Sequence, residues 1–166
     1  MKQPEVCVVG LGYIGLPTAA ILASKGLAVH GVDVNSSTVD AVSSGRVPFV
    51  EPDLSKYVER ATVAGTLTAS TEPVRASTYI VAVPTPFLED HSADLSSLEA
   101  ATRAIAKQLS GSELLILEST SPPGTTQQMA NIVLQERPDL ASSNLKFAHC
   151  PERVLPGQVM VELVTN

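Results

Sequence analysis

At 166 residues, 44% hydrophobic and 17% charged, the chain has the length and composition of one globular domain with a sizeable core, which excludes a disordered polypeptide. Its net charge is −6 with no block of Lys or Arg, so nucleic acid is excluded as a main partner, although a phosphate site built from backbone N–H groups stays open. Two distant cysteines, Cys7 and Cys150, give no disulfide framework, and no apolar run has the length of a signal peptide or a membrane span, so a soluble, cytoplasmic protein with no membrane partner is expected.

Short apolar runs alternate with amphipathic stretches, the pattern of β-α-β units around a parallel sheet. Residues 6–9 read as a first strand suited to burial on both faces. Residues 14–25 read as a helix with Pro17 in its first turn and Gly26 as its stop. A second strand at 28–32 is closed by Asp33. Helices follow at 36–44, stopped by Gly45, and at 53–63, where Leu54, Tyr57, Val58 and Ala61 share a face. A short strand at 67–69 and a stronger one at 78–83 come next, the latter ended by Pro84-Thr85-Pro86.

Asp94 is placed to cap a helix whose Leu95, Leu98, Ile105 and Leu109 fall on one stripe. Residues 113–117 read as a strand, and Thr125 with Gln128 has capping-box spacing for a helix running to Pro138. A last strand is expected at 145–148, and 84–94 and 139–144 read as the loosest connections. The fold class is therefore α/β: a Rossmann-type, doubly wound, mostly parallel sheet of about six strands with helices on both faces. The apolar run at 159–164 with no polar tail after it suggests a domain, 1–166, cut from a longer protein.

Gly10-Leu11-Gly12-Tyr13-Ile14-Gly15 is a G-x-G-x-x-G directly after a strand and opening a helix. Its glycines serve a tight turn, the approach of backbone to a pyrophosphate, and close packing of helix on sheet. The helix N-terminus then faces the phosphates with a positive dipole end. Asp33, at the end of the second strand, can accept from both hydroxyls of the adenosine ribose and would repel a 2′-phosphate. Val34-Asn35-Ser36-Ser37 offers no Arg to neutralise one, so the cofactor expected is NAD rather than NADP.

Three loops at strand ends are rich in proline and hydroxyls: 83–86, 118–126 and 150–157. The chain resembles the UDP-glucose/UDP-mannuronate dehydrogenase family in G-L-G-Y-I-G-L-P at 10–17, V-P-T-P at 83–86, E-S-T-S-P-P-G-T-T at 118–126 and C-P-E-R-V-L-P-G at 150–157. The resemblance implies oxidation of a sugar C6 alcohol to a carboxylate by two hydride transfers to NAD. It implies that Tyr13, Ile14, Asp33, Thr85 and Thr126 contact NAD, that Thr120 holds a water or oxyanion near C6, and that Glu152 takes part in proton transfer or positioning. Arg153 and Val154 would touch the UDP-sugar. A homodimer or higher oligomer is implied for the full-length protein.

Where UDP-glucose enzymes of the family read P-E-F-L-R-E-G, this chain reads Pro151-Glu152-Arg153-Val154-Leu155-Pro156-Gly157. The role of the family's second glutamate therefore cannot be carried over to Pro156. With Phe49-Val50-Glu51-Pro52-Asp53-Leu54, this segment resembles the branch that acts on UDP-N-acetylmannosamine; UDP-glucose and UDP-N-acetylglucosamine are the alternative sugars. The family's catalytic Cys and Lys would lie beyond residue 166, so the chain alone is expected to bind NAD without turnover.

Cys150 beside His149 invites a thiol-nucleophile reading, but neighbours in a strand point to opposite faces. Cys7 reads as a core thiol, His30 as structural and His91 as solvated; Glu118 is as readily structural as functional, and no spacing suggests a metal site. An NAD-sensing regulatory module and a dehydrogenase of hydroxy acids or acyl thioesters share the glycine loop and the strand-end acid. The proline-framed hydroxyl loops argue against both.

Overall fold

The computed structural model describes residues 3–151, 153–155 and 157–165. Six strands form one sheet: β1 (Val6–Val9), β2 (Val29–Val32), β3 (Leu67–Ser70), β4 (Thr78–Val81), β5 (Leu114–Leu117) and β6 (Lys146–His149). Every neighbouring pair is parallel, in the order β3-β2-β1-β4-β5-β6. That is the doubly wound order, and it reverses between β1 and β4, where such sheets open a crevice at their carboxyl ends.

Six α-helices cross over the sheet: α1 (Gly15–Ser24), α2 (Ser36–Ser43), α3 (Leu54–Val63), α4 (Ser96–Ala106), α5 (Thr125–Glu136) and α6 (Val159–Thr165). Strand alternation sorts their partners. Val6, Val8, Val29, Leu67 and Ile80 point to the face covered by α1, α2, α3 and α6, through Leu16, Ala19, Val42, Leu54, Val58 and Met160. Cys7, Val9, Tyr79, Val81, Leu115 and Leu117 point to the face covered by α4 and α5, through Leu98, Ile105, Met129 and Val133. Each buried Val, Leu, Ile or Met among them contributes about 1.5–3 kcal/mol by leaving water.

The element ends differ from expectation where distant groups decide them. The fourth strand stops at Val81 rather than Val83, because beyond it the chain packs backbone to backbone against the turn after β1. The capping box at Thr125 does not form. Gly124, at φ 92°, turns the chain into α5, the Thr125 hydroxyl donates to the Pro122 carbonyl at 2.7 Å, and Gln128 Nε2 donates to Glu99 at 3.1 Å. The N-cap of α4 is Leu95 rather than Asp94, whose carboxylate accepts from the Ser96 N–H at 2.9 Å from one residue earlier, while Leu109 lies past the end of α4 and still packs in the core.

The two loose connections are ordered turns. Phe87 pairs with Ala93 in a small antiparallel bridge. Pro138–Leu140 forms a 3-10 turn, and Arg137 before it donates to the Ala106 and Leu109 carbonyls at 3.1 and 2.8 Å. The apolar run near the end of the chain is helix α6. Its start is held by Glu51, a buried carboxylate that accepts from the Gly157 and Val159 N–H groups at 3.0 Å each.

β5 begins from a second carboxylate lock. Glu113 is 4% exposed and accepts from the Ser110, Gly111 and Ser112 N–H groups at 2.8, 2.8 and 3.0 Å, and from the Ser110 hydroxyl. Gly111 makes this possible at φ 113°. Burial raises the carboxyl pKa, but the Ser110 hydroxyl and the ring of N–H groups outweigh it and bring the value from 4.5 to about 2. A depressed carboxylate pKa stabilises the fold above the unfolded value and loses that contribution as pH falls through the folded one. Glu113→Gln is therefore expected to destabilise the protein at pH 7 by about 3 kcal/mol in urea unfolding, with the gap to the unchanged protein closing as the pH is lowered from 4.5 toward 2. A gap that stays constant over that range would show that the carboxylate charge is not what the N–H groups hold.

Candidate functional site

The crevice at the β1–β4 reversal is a cleft of about 730 Å³, lined from the turn after β1, the ends of β2, β4 and β5, and one side of α4. The turn is Gly10 to Ile14. Gly10 has φ 95°, and a Cβ there would stand 2.5 Å from the Ala82 carbonyl oxygen; a Cβ on Gly15 would stand 1.8 Å from the Gly10 oxygen. These two glycines permit backbone contact. Gly12 differs: a Cβ there would meet nothing within 4 Å, and the residue lines the cleft, so the missing side chain leaves space for a ligand.

Asp33 joins β2 to this turn. One carboxylate oxygen accepts from the Leu11 N–H at 2.9 Å and the other from the Asn35 N–H at 2.9 Å. Asn35 in turn accepts from the Ser37 N–H and starts α2. The carboxylate is thereby held at the cleft with acceptor capacity to spare, since each oxygen has a second lone-pair direction. Tyr13, 55% exposed, lines the same wall and packs its ring on Phe49, with centroids 4.3 Å apart.

The opposite wall comes from the loops after β4 and β5, and hydroxyl groups stitch them together. The Thr85 hydroxyl donates to the Thr120 carbonyl at 2.6 Å, and the Ser119 hydroxyl to the Val83 carbonyl at 2.7 Å. Thr85 and Thr120 both line the cleft. Glu118, buried at the end of β5, also lines it and accepts from the Thr18 hydroxyl of α1 at 3.0 Å. Its carboxylate therefore bridges α1 to the β5 loop.

The sequence-derived site is thus partly assembled. Gly10, Gly12, Tyr13, Ile14, Asp33, Thr85 and Thr120 meet around one cleft, with Gly15 packed beneath the turn. Thr126 stands in the first turn of α5, half-buried and outside the cleft lining. Arg153 is exposed and Val154 half-buried, neither on the cleft wall, and Glu152 lies outside the described residues. Cys150 is exposed just after β6, also off the wall. Cys7 is a core thiol whose burial pushes its pKa up to about 11 despite a lowering hydrogen bond from Val74. His91 sits exposed at φ 65°. Among the described residues no group of His, Cys, Asp and Glu could hold a metal ion, and no helix is long and apolar enough to cross a membrane.

Several site residues escaped sequence reasoning. Thr18 and the wall of Thr71, Glu72 and Pro73 carry no local signal, and the resemblance over residues 49–54 does not announce that Phe49 packs on Tyr13. The small residues Ser97, Ala100, Ala101 and Ala104 of α4 do: their helical spacing marks a face that something must approach closely. No Lys or Arg is among the described residues lining the cleft, whereas Asp33, Glu72 and Glu118 are. A dinucleotide pyrophosphate there must be held by backbone N–H groups and the start of α1, and a further 2′-phosphate beside Asp33 would find no cation. The residues present fit NAD.

Comparison with known proteins agrees. The UDP-glucose/GDP-mannose dehydrogenase family, NAD binding domain, matches residues 4–166. The UDP-N-acetyl-D-mannosamine dehydrogenase of Escherichia coli (strain K12) is 50% identical over 100% of this chain and 41% of its own length. The NDP-N-acetyl-D-galactosaminuronic acid dehydrogenase of Ralstonia nicotianae is 51% identical over 97% of this chain and 40% of its own. Among solved structures, the UDP-D-ManNAc dehydrogenase of Pyrococcus horikoshii superposes with a TM-score of 0.90 at 37% identity, over 95% of this chain and 38% of that one. The chain spans about 40% of the length of the relatives it matches. It belongs to the UDP-glucose/GDP-mannose dehydrogenase family, of whose members it corresponds to the NAD binding domain.

Proposed function

We propose that the chain is the cofactor-binding half of a UDP-N-acetylmannosamine 6-dehydrogenase, which oxidises the sugar C6 alcohol to the uronate. The observation that carries the reading is the cleft itself: Asp33 fastened to the glycine turn on one side and the stitched Thr85–Thr120 loops on the other. The 50% identity to a relative named for UDP-N-acetyl-D-mannosamine supports the sugar, as does Arg153-Val154-Leu155 in the loop after β6. The relative named for NDP-N-acetyl-D-galactosaminuronic acid, equally similar, makes that sugar the second reading.

NAD supplies the hydride acceptor. Gly12, Tyr13 and Ile14 present the phosphate-binding turn, Asp33 takes the adenosine ribose hydroxyls, and Thr85 and Thr126 are the remaining proposed contacts. Thr120, exposed at the cleft edge, offers a hydroxyl to the water or oxyanion at C6. Glu152 is assigned the proton transfer or positioning role, and Arg153 and Val154 the nucleotide sugar. The whole protein is proposed to work in the cytoplasm as a homodimer or larger assembly.

Calorimetric titration with NAD and NADP tests the cofactor half. NAD is expected to bind and NADP not, and Asp33→Ala is expected to weaken NAD by about tenfold or more, two charge-assisted bonds being lost, while narrowing the preference. Equal binding of NAD and NADP by the unchanged protein would count against the assignment of Asp33.

The two kinds of glycine separate in a second experiment. Gly12→Val is expected to fold with little change in Tm and to lose NAD binding, because its side chain fills only ligand space. Gly15→Val is expected not to fold, because the Gly10 carbonyl already occupies the position of a Cβ. Retention of NAD binding in Gly12→Val would remove the turn from the phosphate site. For the sugar, NADH formation by the full-length enzyme should be faster with UDP-N-acetylmannosamine than with UDP-N-acetylgalactosamine, UDP-N-acetylglucosamine or UDP-glucose; a reversed order would replace the substrate assignment.

A further inference from the structure

Three hydrogen bonds meet at Ser70, the last residue of β3. Its carbonyl accepts from the Asp33 N–H at 3.3 Å. Its hydroxyl donates to the Glu72 carbonyl at 2.7 Å, and the same oxygen lies 2.7 Å from His30 Nε2. The single Ser70 hydroxyl proton is committed to Glu72, so toward His30 this oxygen can only accept. That places the imidazole proton on Nε2. Nδ1 is then an acceptor, and the Thr68 hydroxyl, 2.8 Å away, is its donor. Burial lowers the imidazole pKa, which favours this neutral, fully paired form.

The groups that Ser70 holds face the cleft: Asp33 on one side, and Glu72 with its neighbours Thr71 and Pro73 on the other. The chain then crosses beneath the sheet face, where the Tyr79 hydroxyl takes the Ala76 N–H at 3.2 Å and donates to the Val74 carbonyl at 3.1 Å. The 71–73 wall is therefore fastened at both ends, by Ser70 before it and Tyr79 after it. His30 lines no part of the cleft, yet it supplies the donor that completes Ser70.

We propose that His30 is a positioning residue for the adenosine half of the dinucleotide, setting through Ser70 the distance between Asp33 and the 71–73 wall. The proposal rests on the NAD reading of this cleft. With a hydrocarbon at position 30, the Ser70 hydroxyl loses a buried donor and is free to turn away from Glu72, and the wall loses its fixed spacing from the ribose carboxylate.

The test is a titration of the 166-residue protein and its His30→Leu, His30→Gln and Ser70→Ala variants with NAD and with ADP-ribose, below the unfolding temperature of each. His30→Leu is expected to weaken both ligands by the same factor, about fivefold for one lost hydrogen bond. His30→Gln, whose amide can still donate to Ser70, is expected to recover most of that affinity. The double variant His30→Leu with Ser70→Ala is expected to bind no more weakly than Ser70→Ala alone, as for two residues on one path. A His30→Leu variant that melts earlier but binds both ligands with unchanged affinity overturns the proposal, as do losses that multiply in the double variant. Should His30→Leu not fold, Ser70→Ala decides: fivefold weaker ADP-ribose supports the proposal and unchanged affinity overturns it. Absence of NAD binding in the unchanged protein would instead remove the cofactor reading itself, an outcome separate from all of these.

Discussion

The start of α1 lies directly on the turn after β1, and that turn lies directly on the end of β4, with no side chain between them. A Cβ on Gly15 would stand 1.8 Å from the Gly10 oxygen, and one on Gly10 would stand 2.5 Å from the Ala82 oxygen. Three backbone segments thus meet at the point where the strand order reverses. From this contact follow the direction of the Leu11 N–H toward Asp33, the position of the helix start facing the cleft, and the open space over Gly12. The packing thus leaves main chain facing the space over Gly12, as the proposed phosphate site requires.

The rest of the cleft is built by groups that hold it from outside. Thr18 on α1 reaches Glu118 at the end of β5, which ties the helix of the phosphate turn to the loop carrying Thr120. Thr85 and Ser119 close the β4 and β5 loops on each other through carbonyls rather than through side-chain pairs. Prolines at 84, 86, 122 and 123 restrict the same loops, so each hydroxyl bond is formed at a small cost in chain entropy.

How much of this was legible in the sequence follows from the range of the forces involved. The glycine turn was readable because backbone contact demands one residue type, and the place of Asp33 beside that turn because it closes the second strand. The doubly wound fold followed from strand runs buried on both faces. The capping box failed because spacing alone does not specify a hydrogen bond: Gly124 already sets the entry to α5, leaving Thr125 and Gln128 to bond elsewhere. α6 was missed as a helix because its cap, Glu51, lies 106 residues from Gly157. Likewise the 71–73 wall is brought to the cleft, and Phe49 to Tyr13, only by tertiary packing.

The charge of the cleft bears on where the chemistry can be divided. Asp33, Glu72 and Glu118 line it, and among the described residues no Lys or Arg does. A dinucleotide can be accommodated there because the start of a helix and its N–H groups carry enough positive potential for one pyrophosphate. A nucleotide sugar brings a second diphosphate, and the same walls would repel it. Under the proposed function, contacts to the diphosphate of the sugar nucleotide therefore belong outside this cleft, with only its C6 end reaching Thr120 at the edge. Arg153, exposed in the loop after β6, is a cation off the cleft wall. The loop is anchored by Glu51, whose neighbour two residues earlier is the Phe49 that packs on Tyr13 of the phosphate turn. One short segment thus touches both the cofactor turn and the loop of the proposed substrate contacts. Under the proposed function, that segment would hold the cofactor turn and the substrate loop in a fixed relation.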